Sequence, residues 1–130
     1  MATGLQKNRM RLEALTDLGK GLARRSGSRC ELCNAGGVGL VAFEVQPVPE
    51  TPDPDRIAFI CEQCIDGARG GSLTPERWRF LETAVWSEMP AVQVLAVRLC
   101  RRLYEDGMEW AGNILSGLYL APEVEEWLGD

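Results

Sequence analysis

Two cysteine pairs, Cys30-Glu31-Leu32-Cys33 and Cys61-Glu62-Gln63-Cys64, have 27 residues between them, and they constrain this chain more than any other feature. Cys-x-x-Cys pairs so separated have the spacing of a tetrahedral zinc site, in which each pair forms a knuckle on one ion. Four thiolates fill the coordination sphere and leave no open position for water or substrate, so such a site braces a fold and does not by itself perform chemistry. A redox pair or disulfides would draw on the same cysteines, but close pairing in a reducing compartment favours metal ligation. The expected ligands are Cys30, Cys33, Cys61 and Cys64, around one structural Zn2+.

The flanking segments say what the metal would clamp. Before the first pair, Leu5, Leu12, Leu15, Leu18 and Leu22 recur at helical spacing. Residues 5–25 therefore read as a helix, weakened in its last turns by Gly19 and Gly21 and ended by Ser26-Gly27-Ser28. Between the pairs, Val38, Leu40, Val41, Phe43 and Val45 predict a strand. Pro47, Pro49, Pro52 and Pro54 then remove ladder donors and predict a loop, and Ile57-Ala58-Phe59-Ile60 predicts a second strand running into Cys61. Knuckle, strand, loop, strand, knuckle is the order of a zinc ribbon or the related treble clef.

Gly67, Gly70 and Gly71 make residues 65–72 a hinge. Beyond it, Thr74-Pro75-Glu76 is a helix start, and Trp78, Leu81, Val85 and Met89 form that helix's apolar stripe. Pro90 stops it and begins another with Val92, Leu95, Ala96, Leu99 and Leu103 on one face, the clearest amphipathic pattern in the chain. A turn at Glu105-Asp106-Gly107 leads to a third helix with Met108, Ala111, Ile114 or Leu115, and Leu118 inward, and Pro122 opens a short last segment. Trp78, Trp86, Trp110 and Trp127, spread over separate helical segments, fit helix packing better than a base-stacking platform. The fold class is α+β: an N-terminal basic helix (1–29), a zinc-ribbon or treble-clef-like hairpin module (30–66) and a C-terminal unit of three to four helices (73–130).

Composition narrows the function classes. A chain of 130 residues, 45% hydrophobic, suits one domain or a small metal module plus one helical unit. No apolar run reaches the ~18 to 20 residues of a membrane span and the first residues lack a signal-peptide core, so a cytoplasmic protein with no membrane role is expected. Residues 1–30 carry seven bases (Lys7, Arg9, Arg11, Lys20, Arg24, Arg25 and Arg29) against two acids, whereas after Arg102 there are only acids: Glu105, Asp106, Glu109, Glu123, Glu125, Glu126 and Asp130. Solvated helix faces account for both runs; any nucleic acid would have to use the basic end, because the acidic end repels phosphate. The chain has no histidine, which closes hydrolysis built on an imidazole base and any site needing a histidine ligand. Glu44, Asp53 and Asp55 read as strand and turn residues with no nucleophile or second metal beside them. Cys100, next to core-facing Leu99, reads as a small buried hydrophobe; a reactive thiol would need Arg98, Arg101 or Arg102 turned toward it.

Several segments together resemble the PhnA-like proteins, a family named for an alkylphosphonate utilisation operon. They are Arg25 to Cys33, the strand Val41-Ala42-Phe43-Glu44-Val45-Gln46-Pro47, the knuckle Cys61 to Cys64, Val85-Trp86-Ser87-Glu88-Met89-Pro90-Ala91-Val92-Gln93-Val94-Leu95-Ala96, and Leu118-Tyr119-Leu120. The resemblance runs from about residue 20 onward and implies that the four cysteines are zinc-ribbon ligands, in the N-terminal part of such proteins without their β-rich C-terminal PhnA domain. An operon name implies neither phosphonate binding nor carbon–phosphorus cleavage. The knuckle followed by Glu44-Val45-Gln46-Pro47 is also similar to the scaffold of HNH nucleases, whose strand carries histidines near there; Gln46 cannot act as their general base.

The resulting expectation is a zinc-binding protein that works by binding, as an adaptor for a protein partner or through self-association, with the balance against an enzyme. Two rivals stand beside it: a nucleic-acid-binding protein using the basic N-terminal helix, and an enzyme or binder of phosphonate-type anions.

Overall fold

A computed structural model describes residues 3–129, so Asp130 of the acidic run and the first two residues of the basic arm lie outside it. The protein is α+β. Its N-terminal helical segment is divided into α1 (Gly4–Asp17) and α2 (Gly19–Ser26). The strands β1 (Leu40–Glu44) and β2 (Ile57–Cys61) form an antiparallel hairpin, and α3 (Glu62–Ala68) follows directly. After residues 69–80 come α4 (Leu81–Ala84), α5 (Pro90–Glu105), α6 (Glu109–Ser116) and α7 (Pro122–Leu128).

The hairpin separates two apolar clusters. Along β2, successive side chains point to opposite faces, and all five residues are buried. Ile57 and Phe59 join Leu22, with Leu15 and Leu18 against them, under the N-terminal helices. Ala58 and Ile60 face the other way, into a larger cluster with Trp78, Leu81, Val92, Leu95, Leu99 and Leu103. Cys30, Cys61 and Cys64 belong to that same cluster, so the knuckles and the C-terminal helices share one core. The register pairs Leu40 with Cys61 and Glu44 with Ile57, which sets the start of β1 beside the second knuckle.

Three expectations need correction. The helix expected from Thr74 to Met89 is instead a 3₁₀ turn, Arg77–Phe80, followed by the one-turn α4. Trp78 explains the change: its ring fills the space over Gly67, where a Cβ would lie 2.3 Å from it, and its centroid lies 5.1 Å from that of Phe80. An α-helix points residues two apart away from each other, so tertiary packing of these rings selects the tighter turn. The expected hinge is also fixed in place: Gly67 is buried in α3, the Gly71 N–H donates to the Asp66 carbonyl at 2.8 Å, and Arg102 donates to the Gly67 and Gly71 carbonyls at 2.6 and 2.8 Å. Finally, Leu5, Leu12 and Trp86 were expected inward but are 71%, 56% and 52% exposed.

Candidate metal centre

Each knuckle is built by local backbone geometry. α2 ends at Gly27, whose φ of 65° is a left-handed conformation that favours glycine. The chain then closes a tight loop: the Cys30 N–H donates to the Ala35 carbonyl at 3.0 Å, and the Asn34 N–H donates to the Cys30 carbonyl at 2.8 Å. Asn34 also lies in the left-handed region, with a φ of 68°. At the other end of the hairpin, Cys61 closes β2 and caps α3, which puts Cys64 in that helix's first turn.

These two turns bring the Sγ atoms of Cys30, Cys33, Cys61 and Cys64 within 4.8 Å of one another. The Cys30–Cys64 and Cys33–Cys61 separations are both 3.8 Å. A tetrahedral ion with ~2.3 Å metal–sulfur bonds has sulfur–sulfur edges of about 3.8 Å, whereas a disulfide needs about 2.05 Å. The arrangement therefore fits a metal ion, and all five cysteines are free thiols. Three of the four clustered cysteines are buried and Cys33 is half-buried.

The electrostatics distinguish the clustered cysteines from one another. Cys30 Sγ accepts N–H groups from Cys33 and Cys61, each at 3.4 Å. The sulfur–sulfur hydrogen bond shared with Cys64 is the largest influence holding Cys30 below the ordinary thiol range, burial opposes it, and these backbone donors add to it. Cys64 is raised, first by that same shared hydrogen bond and then by burial, and Cys33 is raised chiefly by burial. A divalent cation held by the four sulfurs would supply positive charge that favours their thiolate forms.

Two arginines near the cluster were not apparent from sequence. Arg25, counted there with the basic arm, forms a bidentate pair with Glu31 inside the first knuckle, at 2.9 and 2.6 Å. It also donates to the Pro54 and Ile57 carbonyls, while Glu31 accepts the Phe59 N–H at 2.7 Å. The first knuckle is thereby tied to β2 by charge-assisted hydrogen bonds as well as by the cysteines. Arg77 donates to the Gln63 side chain at 3.0 Å and lies 4.0 Å from Cys64 Sγ.

The other candidates have structural settings. Glu44 is paired with Arg11, which also donates to the Pro49 and Glu50 carbonyls. Asp53 caps the short 3₁₀ turn by accepting the Asp55 N–H at 2.9 Å. Cys100 is buried, its thiol aimed at the Ala111 carbonyl at 3.4 Å, and burial pushes its pKa up to about 11. Gln46 receives Arg98 and the Trp127 indole on its backbone carbonyl, at 2.6 and 2.7 Å. Among the described residues, no helix is long and apolar enough to cross a membrane. Comparison with protein-family models, with curated proteins and with solved structures found no match.

Proposed function

We propose that this chain is a zinc-binding protein of the PhnA-like type, in which one Zn2+ on Cys30, Cys33, Cys61 and Cys64 braces the hairpin and the protein acts by binding a partner. The observation that carries this reading is the pair of 3.8 Å sulfur–sulfur edges, matched to a tetrahedral zinc–thiolate site. Thiolates select soft or borderline ions, and among these zinc suits a tetrahedral four-sulfur set without redox chemistry. Full coordination by protein makes the ion structural. The PhnA-like assignment rests on the sequence segments quoted above. Native mass spectrometry of freshly reduced protein should find one zinc per chain, lost in Cys61→Ser; metal-free wild-type protein would defeat the reading.

Nucleic-acid binding is the second reading, and the structure shortens its list of contacts. Arg11 and Arg25 are committed to Glu44 and Glu31, whereas Lys7, Arg9, Lys20, Arg24 and Arg29 are exposed. The reading predicts a salt-dependent mobility shift of DNA or RNA that is abolished when these five are neutralised. Absence of a shift at low salt removes it.

A further inference from the structure

We propose that the outer edge of β1, in the cleft beside α1, docks an extended peptide segment of a protein partner, apolar at alternate positions and carrying an acid, which adds to the hairpin as a third strand. This gives the binding role inferred above a partner class and rests on that role; the zinc assignment is tested separately, by metal content.

The two edges of the hairpin differ. The Val45 N–H donates to the Arg56 carbonyl at 2.9 Å, continuing the register of β1 and β2 with a hydrogen-bonded pair. Hydrogen-bonded and non-hydrogen-bonded pairs alternate along an antiparallel ladder, so Phe43 and Val41 bond β2, whereas the N–H and C=O groups of Glu44, Ala42 and Leu40 point away from it. Their opposite numbers on β2 also point outward, and the fold occupies them. The Ile57 N–H donates to the Pro54 carbonyl and the Ile57 carbonyl accepts Arg25 at 2.8 Å. Phe59 donates to the Glu31 carboxylate at 2.7 Å and accepts the Glu31 N–H at 2.9 Å, and the Cys61 N–H donates to Cys30 Sγ. Among the described residues, no hydrogen-bond partner meets the outward backbone groups of Leu40, Ala42 and Glu44; Glu44 bonds Arg11 through its carboxylate. One edge is closed, and the other presents alternating donors and acceptors that an extended backbone matches.

A cleft of about 790 Å³ runs along this open edge. Its walls have surface to offer a ligand: Leu12 and Val41 are 56% and 51% exposed, and Leu15, Ala42 and Phe43 are half-buried. At the ~30 Å³ that one water occupies, the cleft has room for roughly 25 non-hydrogen atoms, about three or four residues of peptide. Successive side chains of an added strand alternate between faces. One set would meet Leu12 and Leu15 on the N-terminal helices, and the other Phe43 and Ala68, which pack against the larger core.

Charge sets the sign of the segment. α1 and α2 carry six bases (Lys7, Arg9, Arg11, Lys20, Arg24 and Arg25) and two acids (Glu13 and Asp17). Pairing of Arg11 with Glu44 and of Arg25 with Glu31 leaves four bases against two acids beside the cleft. Arg69, an exposed residue of the cleft wall, has no ion-pair partner among the described residues. An acidic segment is therefore favoured over a basic one. A helical ligand uses its backbone groups internally, and a nucleic acid has no N–H and C=O groups at strand spacing, so neither matches the open edge.

Selection of phage-displayed random dodecapeptides on the reduced, full-length protein tests this, with metal content measured on the same sample. Enriched sequences should alternate apolar residues and include an acid, and a synthesised member should give saturable amide shifts centred on Leu40 to Glu44. N-methylation of one alternate set of its amides should weaken binding about tenfold per bond lost, while methylation of the other set leaves it unchanged. Ala42→Pro removes an outward N–H at a position where an edge strand tolerates proline, and should weaken the peptide about tenfold. Arg69→Gln should reduce the preference for an acid. If Ala42→Pro does not fold, the methylation pattern on the wild-type protein decides. No enriched alternating class, a methylation effect independent of position, undiminished binding in folded Ala42→Pro, or shifts of the same amides with protein concentration alone, as self-association would give, overturns the proposal. A sample that holds one zinc per chain and yields any of these results defeats the peptide site and leaves the metal assignment standing.

Discussion

α1 and α5 have similar lengths, 14 and 16 residues, and both carry leucines at helical spacing, yet they are held in opposite ways. α5 buries nine side chains, from Ala91 to Leu103, and forms the centre of the larger core. α1 buries none. It is fixed at its start by a reciprocal capping box between Thr3 and Gln6, and in its middle by Arg11, which bonds Glu44 on β1 and two loop carbonyls. One helix is therefore a product of the hydrophobic effect, and the other is tethered to a hairpin that must already be in place. The stability of the hairpin decides whether α1 has anything to dock on.

The largest effect should come from the centre itself. A structural zinc–thiolate site contributes folding free energy directly, with apparent binding of about 10–16 kcal/mol in small zinc modules. Cys61→Ser, or a strong chelator, should therefore disorder the hairpin and release α1, seen as loss of amide-exchange protection across β1, β2 and α1 together. If α1 kept its protection while the hairpin lost its own, the proposed dependence would be wrong. Next in size is Leu99→Ala in α5. Leu99 is 2% exposed, and truncation of such a leucine costs about 2–5 kcal/mol. Denaturant unfolding should register that loss as a shift in midpoint.

A smaller effect is expected from the polar tether. The Arg11–Glu44 pair is bidentate, with bonds of 2.7 and 2.5 Å, and only partly shielded from water. Pairs of this exposure contribute up to about 1 kcal/mol. Glu44→Gln should lower global stability by about that much while increasing amide exchange selectively in α1. An equal loss of protection in α1 and α5 would mean that the two helices are not held separately.

The contrast also explains which parts of the fold were legible in the sequence. The knuckles could be read because each is encoded within four residues, and ligand chemistry tolerates few alternatives. The strands and α5 could be read from composition and period. Leucine spacing in residues 5–25 identified a face but could not say what covers it, and for Leu5 and Leu12 no core residue does. The Arg25–Glu31 and Arg11–Glu44 pairs were hidden for a different reason. Arginines in a basic run look alike until the fold places a carboxylate beside two of them, and in the second case that carboxylate is 33 residues away. The segment before α5 failed because aromatic packing on Gly67 overrode a sound helix start at Thr74.

The smallest predicted effect is the most exacting test of the comparison, because α1 supplies its own internal control. Leu12 is 56% exposed, so Leu12→Ser should change stability by no more than about 0.5 kcal/mol. Leu15, one turn on, packs against the cluster of Leu22, Ile57 and Phe59. Leu15→Ser should cost more, about 1 kcal/mol or above, because it adds a hydroxyl to a partly buried apolar contact. Serine has the same helix propensity at both positions, so the difference isolates packing from helix formation. Equal losses at the two sites would show that helicity, not contact with the hairpin, sets the stability of α1. A larger loss at Leu12 would mean that the packed part of this face is centred on Leu12 and not on Leu15.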